Sequence, residues 1–522
     1  MSSSLVTLAR NVLAAGVVRP DRLARIPLQL VRFGPVPATL GAVAALRFPD
    51  RAAVIDERGA VTCAELEHGA AALATALRDA PGRDGRIGVL CRNHREFVTA
   101  VLGLSRLGND VVLLNTDFSA PQLGEVLDRE RVTVLVHDGE FDAVVDESGF
   151  GGLRVHGDGA DGERPSVAAL VAAVGEPRPM TAERAGKLVI MTSGTTGTPK
   201  GARHDYALPA LAAGALSFAL RVPVRSGAPI VVAPPLFHVL GFGLLNAGLA
   251  LGCPVVLARR FDPAATLAAI ERHGAETLVA VPVMLRRLLD VPDGSRPASL
   301  RAVLVGGAAL LPHLSEEFMD AFGDVLHNVY GATETGWAAI STPADLRAAP
   351  GTVGRPTLGI TLRILDEDGR ALPAGETGEI YTSGGLRFAG YTGGGAKRLR
   401  DGLTATGDLG HLDAAGRLFV DGRADDMIVS GGENVFPAEV EDLLNRHPDV
   451  AEASVTGVPD DEWGQRLAAH VVRAPGATVT ADALRTHVKR RLARYKVPRD
   501  ITFVEELPRT STGKVRKKAL RT

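Results

Sequence analysis

Lysine is scarce in this chain: eight lysines stand against fifty arginines in 522 residues. Arginine is the default cation, so each lysine is an informative choice. Cysteine is scarcer, with only Cys63, Cys91 and Cys253, far apart and without a C-x-x-C pair. That excludes a disulfide-stapled scaffold and a common zinc pattern, and it fits a reducing cytoplasm. Excess charge is also missing: the formal net charge is −2, so no overall field draws the chain to nucleic acid. A membrane span is absent from the first 32 residues, which are too charged and too short for one. They carry Arg10, Arg19, Arg22, Arg25 and Arg32 against Asp21 alone. They also lack the order of a secretory signal. Their basic, amphipathic character leaves peripheral membrane contact as the alternative to packing on the body.

What is present is an ordinary soluble composition, 46% hydrophobic and 23% charged, in a chain long enough for about three units at roughly 150 residues each. From Gly41 onward, short apolar runs such as "RIGVLC", "DVVLL" and "VTVLVH" alternate with helical stretches such as "CAELEHGAAALATALRD". The alternation resumes at "PIVVAPPLFH", "PVVLARR", "ETLVAVP" and "RAVLVGGA", which predicts a large α/β body with mainly parallel strands. Near Gly351 the texture turns to short strands between turns, predicting a small β unit. A compact α/β segment follows to the end. The boundaries expected are a basic extension over 1–40, a large domain over 41–424 and a small mobile domain over 425–522.

One loop asks for a ligand. "MTSGTTGTPKG" (191–201) follows the apolar run Leu188, Val189, Ile190 and is too small and hydroxyl-rich to build core. It is not a Walker A loop, because Pro199 precedes Lys200 and Gly201 follows it. Its backbone amides and hydroxyls suit phosphate oxygens. A second glycine pattern, Gly157, Gly159 and Gly162, is set aside as a dinucleotide site, since Asp158 and Asp161 would face a pyrophosphate.

The loop has companions in order: "NVYGATETG" (328–336), "TGDLGHLD" (406–413), "GRADDMIVSGGENVFPAEVE" (422–441) and "PRTSTGKVRKKAL" (508–520). Together they resemble the motif set of the adenylate-forming superfamily, over roughly Gly41 to Arg521. The resemblance implies ATP-dependent activation of a small carboxylic acid to an acyl-adenylate, followed by transfer to a thiol. It assigns Thr192, Ser193, Gly194, Thr195, Thr196, Gly197 and Lys200 to the phosphates, with Glu334 on Mg²⁺ and Thr333 beside it. Asn328, Tyr330, Gly331, Gly307 and Ala308 fall on the adenine side, and Asp408 and Arg423 on the ribose. Lys514 is expected to bridge the carboxylate and the α-phosphate as a movable point charge. Asp425 is the implied pivot of the small domain, with Gly431, Gly432 and Glu433 along the thiol's path.

The acid is read from "PLFHVLGF" (235–242), which offers no anion for a substrate amine; a plain carboxylic acid is therefore favoured. His238 is placed at the acid, and Gly241, Gly243, Ala247 and Gly248 are expected to leave room for a fatty chain. The chain ends about eight residues after Lys514, so free CoA is the expected thiol. Loading of a separate carrier protein is the alternative.

Overall fold

The computed structural model describes residues 25–520 except 83, 160–163, 193–199, 206–215, 293–295, 384–386, 393, 395–396, 431–432, 461–462 and 511–512. The predicted N-terminal helix lies largely outside this set. Among the described residues no helix is long and apolar enough to cross a membrane.

Three sheets organise the chain. The largest, of 14 strands, has a parallel centre in which Val255–Val256, Ile230–Val232, Thr277–Ala280, Ala302–Gly306 and Leu326–Ala332 lie side by side. In the second, of seven strands, Arg86–Leu90 runs parallel between Val111–Leu113 and Val132–His137. It continues through Leu188–Thr192 to the antiparallel Lys200–Asp205.

The unbroken apolar runs have a simple cause. Successive side chains of a strand face opposite ways, and here both faces are covered. Ile87, Val89, Val111, Leu113, Val134 and Val136 enter a core shared with the larger sheet, together with Leu73 and Phe97 from the helices Cys63–Leu77 and Arg95–Arg106. Leu90, Val112, Leu114 and Leu135 point the other way, onto Leu123, Val126 and Leu127 of the helix Ala120–Arg129. Each fully buried side chain of this kind is worth about 1.5–3 kcal/mol.

The turn-rich strands after Gly351 form the expected small β unit, and Gly336–Ile340 and Thr352–Pro356, pairing antiparallel, join it to the edge of the large sheet. Extending an open edge satisfies backbone groups that a separate sheet would leave exposed. The run "PIVVAPPLFH" is a strand only over Ile230–Val232, because Pro234 and Pro235 lack the N–H that a ladder requires.

The third sheet comprises Ile428–Ser430, Glu433–Val435, Gly464–Arg473, Val450–Asp460 and Asp500–Phe503. It closes its own core of Val435, Val440, Leu444, Val455, Val471, Leu484 and Val488.

A buried polar seam joins the first two sheets. His94 lies 3.0 Å from Glu96 and 2.9 Å from Asp138 through its two ring nitrogens. Arg259, from the side of the larger sheet, reaches Asp138 at 3.2 Å and Asp158 at 2.8 Å. Gly157 and Asp158 of the discarded glycine pattern thus serve packing, Gly157 lying against Cys91 and Asp138. Burial alone would lower the His94 pKa, but the bonds to Asp138 and Glu96 outweigh it and raise it to about 9. A folded value above the ordinary 6.5 means that this stabilisation is complete below about pH 6.5 and lost as pH rises through about 9. Urea midpoints should therefore fall over that interval in the native protein and flatten in His94→Gln. An equal slope in the variant would place its source elsewhere.

Candidate active site

The cleft forms where the parallel strands of the large sheet end. Leu326–Ala332 turns back as Gly336–Ile340 so tightly that a Cβ on Gly331 would meet the Gly336 carbonyl oxygen at 2.0 Å. Glycine at 331 is thus required by the hairpin. Asn328 is buried in the same strand, its carbonyl accepting from the Ser341 amide at 2.9 Å. Gly307, directly after Ala302–Gly306, adopts φ +80° and is exposed with Ala308 beside it. That left-handed geometry favours glycine.

Tyr330, on the hairpin, donates its hydroxyl to Asp408 at 2.7 Å. Asp408 and Arg423 face each other in register on Leu403–Leu412 and Leu418–Arg423, with Arg423 Nη1 3.4 Å from the carboxylate. Burial pushes the Asp408 pKa up, and Tyr330 and Arg423 hold it back. Tyr330, Asp408 and Arg423 are therefore one connected group. Arg423 also donates to Asp425 at 3.0 Å, and Asp425 is exposed.

On the other wall, Glu334 accepts from the Tyr391 hydroxyl at 2.5 Å. Burial first, then Glu334, raises the Tyr391 pKa, so the phenol stays a neutral donor. Lys200 Nζ lies 5.5 Å from the Tyr391 ring centre, and Thr333 is half-buried beside Glu334. Thr192 pairs with Lys200 in the antiparallel ladder, so the two ends of the hydroxyl-rich loop meet next to this wall. Ser193, Gly194, Thr195, Thr196 and Gly197 lie outside the described residues, as do Gly431 and Gly432. Glu433 is described: exposed, it opens a strand antiparallel to Ile428–Ser430.

Lys514 enters from the C-terminal unit. An antiparallel bridge between Arg509 and Val515 makes a hairpin, and Gly513 at φ +76° sits so close to the body that a Cβ would be 2.4 Å from Val283. The units are also joined by His313 and Asp442 at 2.8 Å and by Arg446 and Glu316 at 3.6 Å. Lys514 is exposed to solvent, yet protein crowds around it. That crowding lowers its pKa, Asp408 and Glu334 pull the other way, and Arg423 adds to the lowering. His238 completes the cluster. Burial, then the Lys514 charge, push its pKa down to about 3. Its Nε2 is shielded and has no hydrogen-bond partner among the described residues.

Past His238 runs the helix Val239–Leu251. Of the four small residues expected to open a pocket there, two do not. A Cβ on Gly241 would meet the Pro235 carbonyl oxygen at 2.5 Å, and one on Gly248 would meet Val255 at 2.6 Å. Both are packing glycines. Gly243 and Ala247 are half-exposed, and Gly243 faces Trp337 at 3.3 Å from its would-be Cβ. Trp337 stacks on Phe218 with ring centres 5.3 Å apart. Tyr391, Trp337 and Phe218 were not anticipated from sequence, although Trp337 directly follows "ATETG" and is one of only two tryptophans.

Known proteins place this arrangement. Residues 42–392 match the AMP-binding enzyme family, and 439–514 match the AMP-binding enzyme C-terminal domain. The chain therefore belongs to the AMP-binding enzyme family, the adenylate-forming enzymes that its motifs resemble. It is 35% identical over 492 residues to an indoleacetate–CoA ligase of Aromatoleum aromaticum, covering 91% of this chain and 94% of that one. A 2-succinylbenzoate–CoA ligase of Bacillus thuringiensis is 33% identical over 482 residues, covering 91% and 95%. The solved o-succinylbenzoate CoA synthetase of Bacillus subtilis, in complex with its acyl-adenylate intermediate, superposes with a TM-score of 0.82 at 31% identity, covering 92% of this chain and 98% of that one.

Asp408→Asn removes the charge that Tyr330 and Arg423 surround. Hydrogen bonds to charged groups contribute about 1.5–3 kcal/mol, so the KM for ATP should rise roughly tenfold or more while the KM for the acid changes little. Pyrophosphate release at varied ATP and varied acid reads both. An effect confined to the acid would move Asp408 out of the nucleotide site.

Proposed function

We propose that this enzyme is an AMP-forming acid–CoA ligase that activates an aryl carboxylic acid. The observation that carries the reading is the delivery of Lys514, from the C-terminal unit, onto the cleft that holds Glu334, Asp408 and His238. In the first half-reaction a carboxylate oxygen attacks the α-phosphorus of ATP, and the bond to the bridging oxygen breaks to release pyrophosphate. Lys514 supplies positive charge between the two anions as negative charge builds there. Asp408 and Arg423 hold the ribose, Tyr330 offers a face to adenine, and Thr333, Lys200 and the loop 192–197 receive the phosphates. Glu334 suits magnesium, which favours sparse carboxylate ligation with phosphate oxygens. It is bonded to a neutral phenol and has no ion pair among the described residues. A bound ion would screen the phosphate charge.

In the second half-reaction the CoA sulfur attacks the acyl carbonyl, and AMP leaves with the bonding electrons. We place the pivot between the two halves at Asp425, with Gly431, Gly432 and Glu433 lining the thiol's approach. The preference for an aryl acid rests on the half-buried Trp337, backed by the buried Phe218, since an aromatic ring offers a flat face on which another ring can stack or pack edge-on. Relatives named for indoleacetate and 2-succinylbenzoate support it. The fatty-chain expectation leaned on four small residues, of which Gly241 and Gly248 are taken up by packing.

A panel of arylacetic, benzoic and fatty acids with ATP, and with CoA or a holo carrier protein, should give aryl-CoA as the main product by mass. Dominant fatty acyl-CoA or acylated carrier would overturn the corresponding half of the proposal. Lys514→Ala should slow adenylation by about a hundredfold or more, the scale for losing one preorganised charge-stabilising donor. CoA attack on supplied acyl-adenylate should suffer far less. Equal loss in both halves would remove Lys514 from its assigned role.

A further inference from the structure

Asn93 is 4% exposed and touches no group placed in the reaction. Its Nδ2 donates to the Pro234 carbonyl at 2.9 Å, and its Oδ1 accepts from the Leu236 amide at 2.8 Å. The side-chain amide thus acts as a surrogate strand at a turn where the two prolines forbid a real ladder. Its own backbone is anchored on both sides. The Arg92 amide donates to Asp138 at 2.8 Å, His94 is bonded at both ring nitrogens, and the Arg95 amide donates to Asp56 at 3.0 Å. From the opposite side the first turn of the helix Val239–Leu251 presses on the same carbonyls: a Cβ on Gly241 would lie 2.5 Å from the Pro235 oxygen and 2.9 Å from the Pro234 oxygen. The His238 amide bonds back to Pro235 at 3.2 Å, and the His238 carbonyl starts the helix by accepting from Phe242 at 2.9 Å.

The turn Pro234–His238 is therefore clamped between Asn93 and Gly241, and His238 ends it as the residue that opens the helix Val239–Leu251. We infer that Asn93 is a positioning residue for the acid: it fixes the depth of His238 and of the helix that carries Gly243, without touching the nucleotide side. The inference rests on the reading of residues 237–247 as the acid wall. Because a buried amide bonded at both ends has one allowed orientation, the turn inherits the rigidity of the polar seam. Misplacement of a substrate-contacting group by about 1 Å can cost up to a hundredfold.

The test uses the full-length enzyme with indole-3-acetate, or the most reactive acid of the panel above, and follows pyrophosphate release. Asn93→Ala removes both bonds. Asn93→Asp keeps the shape and the acceptor for Leu236 but sets an oxygen against the Pro234 carbonyl, and it serves if the alanine variant does not fold. Both variants should raise the KM for the acid by about tenfold and leave the KM for ATP within about twofold. In a His238→Ala background the same substitution should cost less than about threefold, because coupled sites are not additive. Equal rises in both KM values, or full additivity with His238→Ala, would show a merely structural role and overturn the inference. An altered acid KM in His238→Ala and Gly243→Leu, with none in folded Asn93→Asp, would overturn it alone. No change in any of these variants would overturn the acid-wall reading itself.

Discussion

The Asp138 carboxylate is the point through which the two body sheets and the cleft are tied together. It is fully buried, and it accepts from the His94 ring, the Arg92 amide and the Arg259 guanidinium. A buried carboxylate is tolerable only when such partners replace its water. Here they come from the loop after Arg86–Leu90 and, through Arg259, from the side of the larger sheet. The same loop carries Asn93, whose amide holds the turn before His238. The buried charge cluster is thereby linked to the turn before His238 through the chain at Arg92–Asn93 and the two Asn93 side-chain bonds.

The contact between the body and the C-terminal unit is of another kind. It combines the close approach of Gly513 to Val283 with the pairs His313–Asp442 and Arg446–Glu316, and an exposed pair such as the second contributes only about 0–1 kcal/mol. The C-terminal core of Val435, Val455, Leu467 and Leu484 is closed without residues from the body. A unit with its own core is what the proposed exchange of Lys514 between the half-reactions requires. In the arrangement seen here burial disfavours the Lys514 charge, and Asp408 and Glu334 favour it.

Short motifs in the sequence named Tyr330, Asp408, Arg423, Glu334 and Lys514 as candidates. The fold brings these residues, separated by up to 184 positions, near one another; the roles assigned to them remain the proposal made above. The aromatic wall was not readable, because Phe218 and Trp337 meet only through folding and a lone tryptophan after a motif carries no statement of its partner. Small residues in a helix were ambiguous for the same reason: Gly241, Gly243 and Gly248 share one helix, yet two are pressed on backbone or Val255 and one faces Trp337.

By itself the sequence determined the α/β class, through apolar runs long enough to face cores on both sides, and it pointed to the reaction through the resemblance of its ordered motifs to the adenylate-forming superfamily. Only the tertiary structure decided that the late β strands extend the large sheet, that Asn93 grips the turn before His238, and which glycines leave space. Those outcomes depend on backbone groups and side chains far apart in the chain finding each other. Local patterns fix what a segment can become; the partner that satisfies its hydrogen bonds and fills its surface is chosen when the whole chain packs.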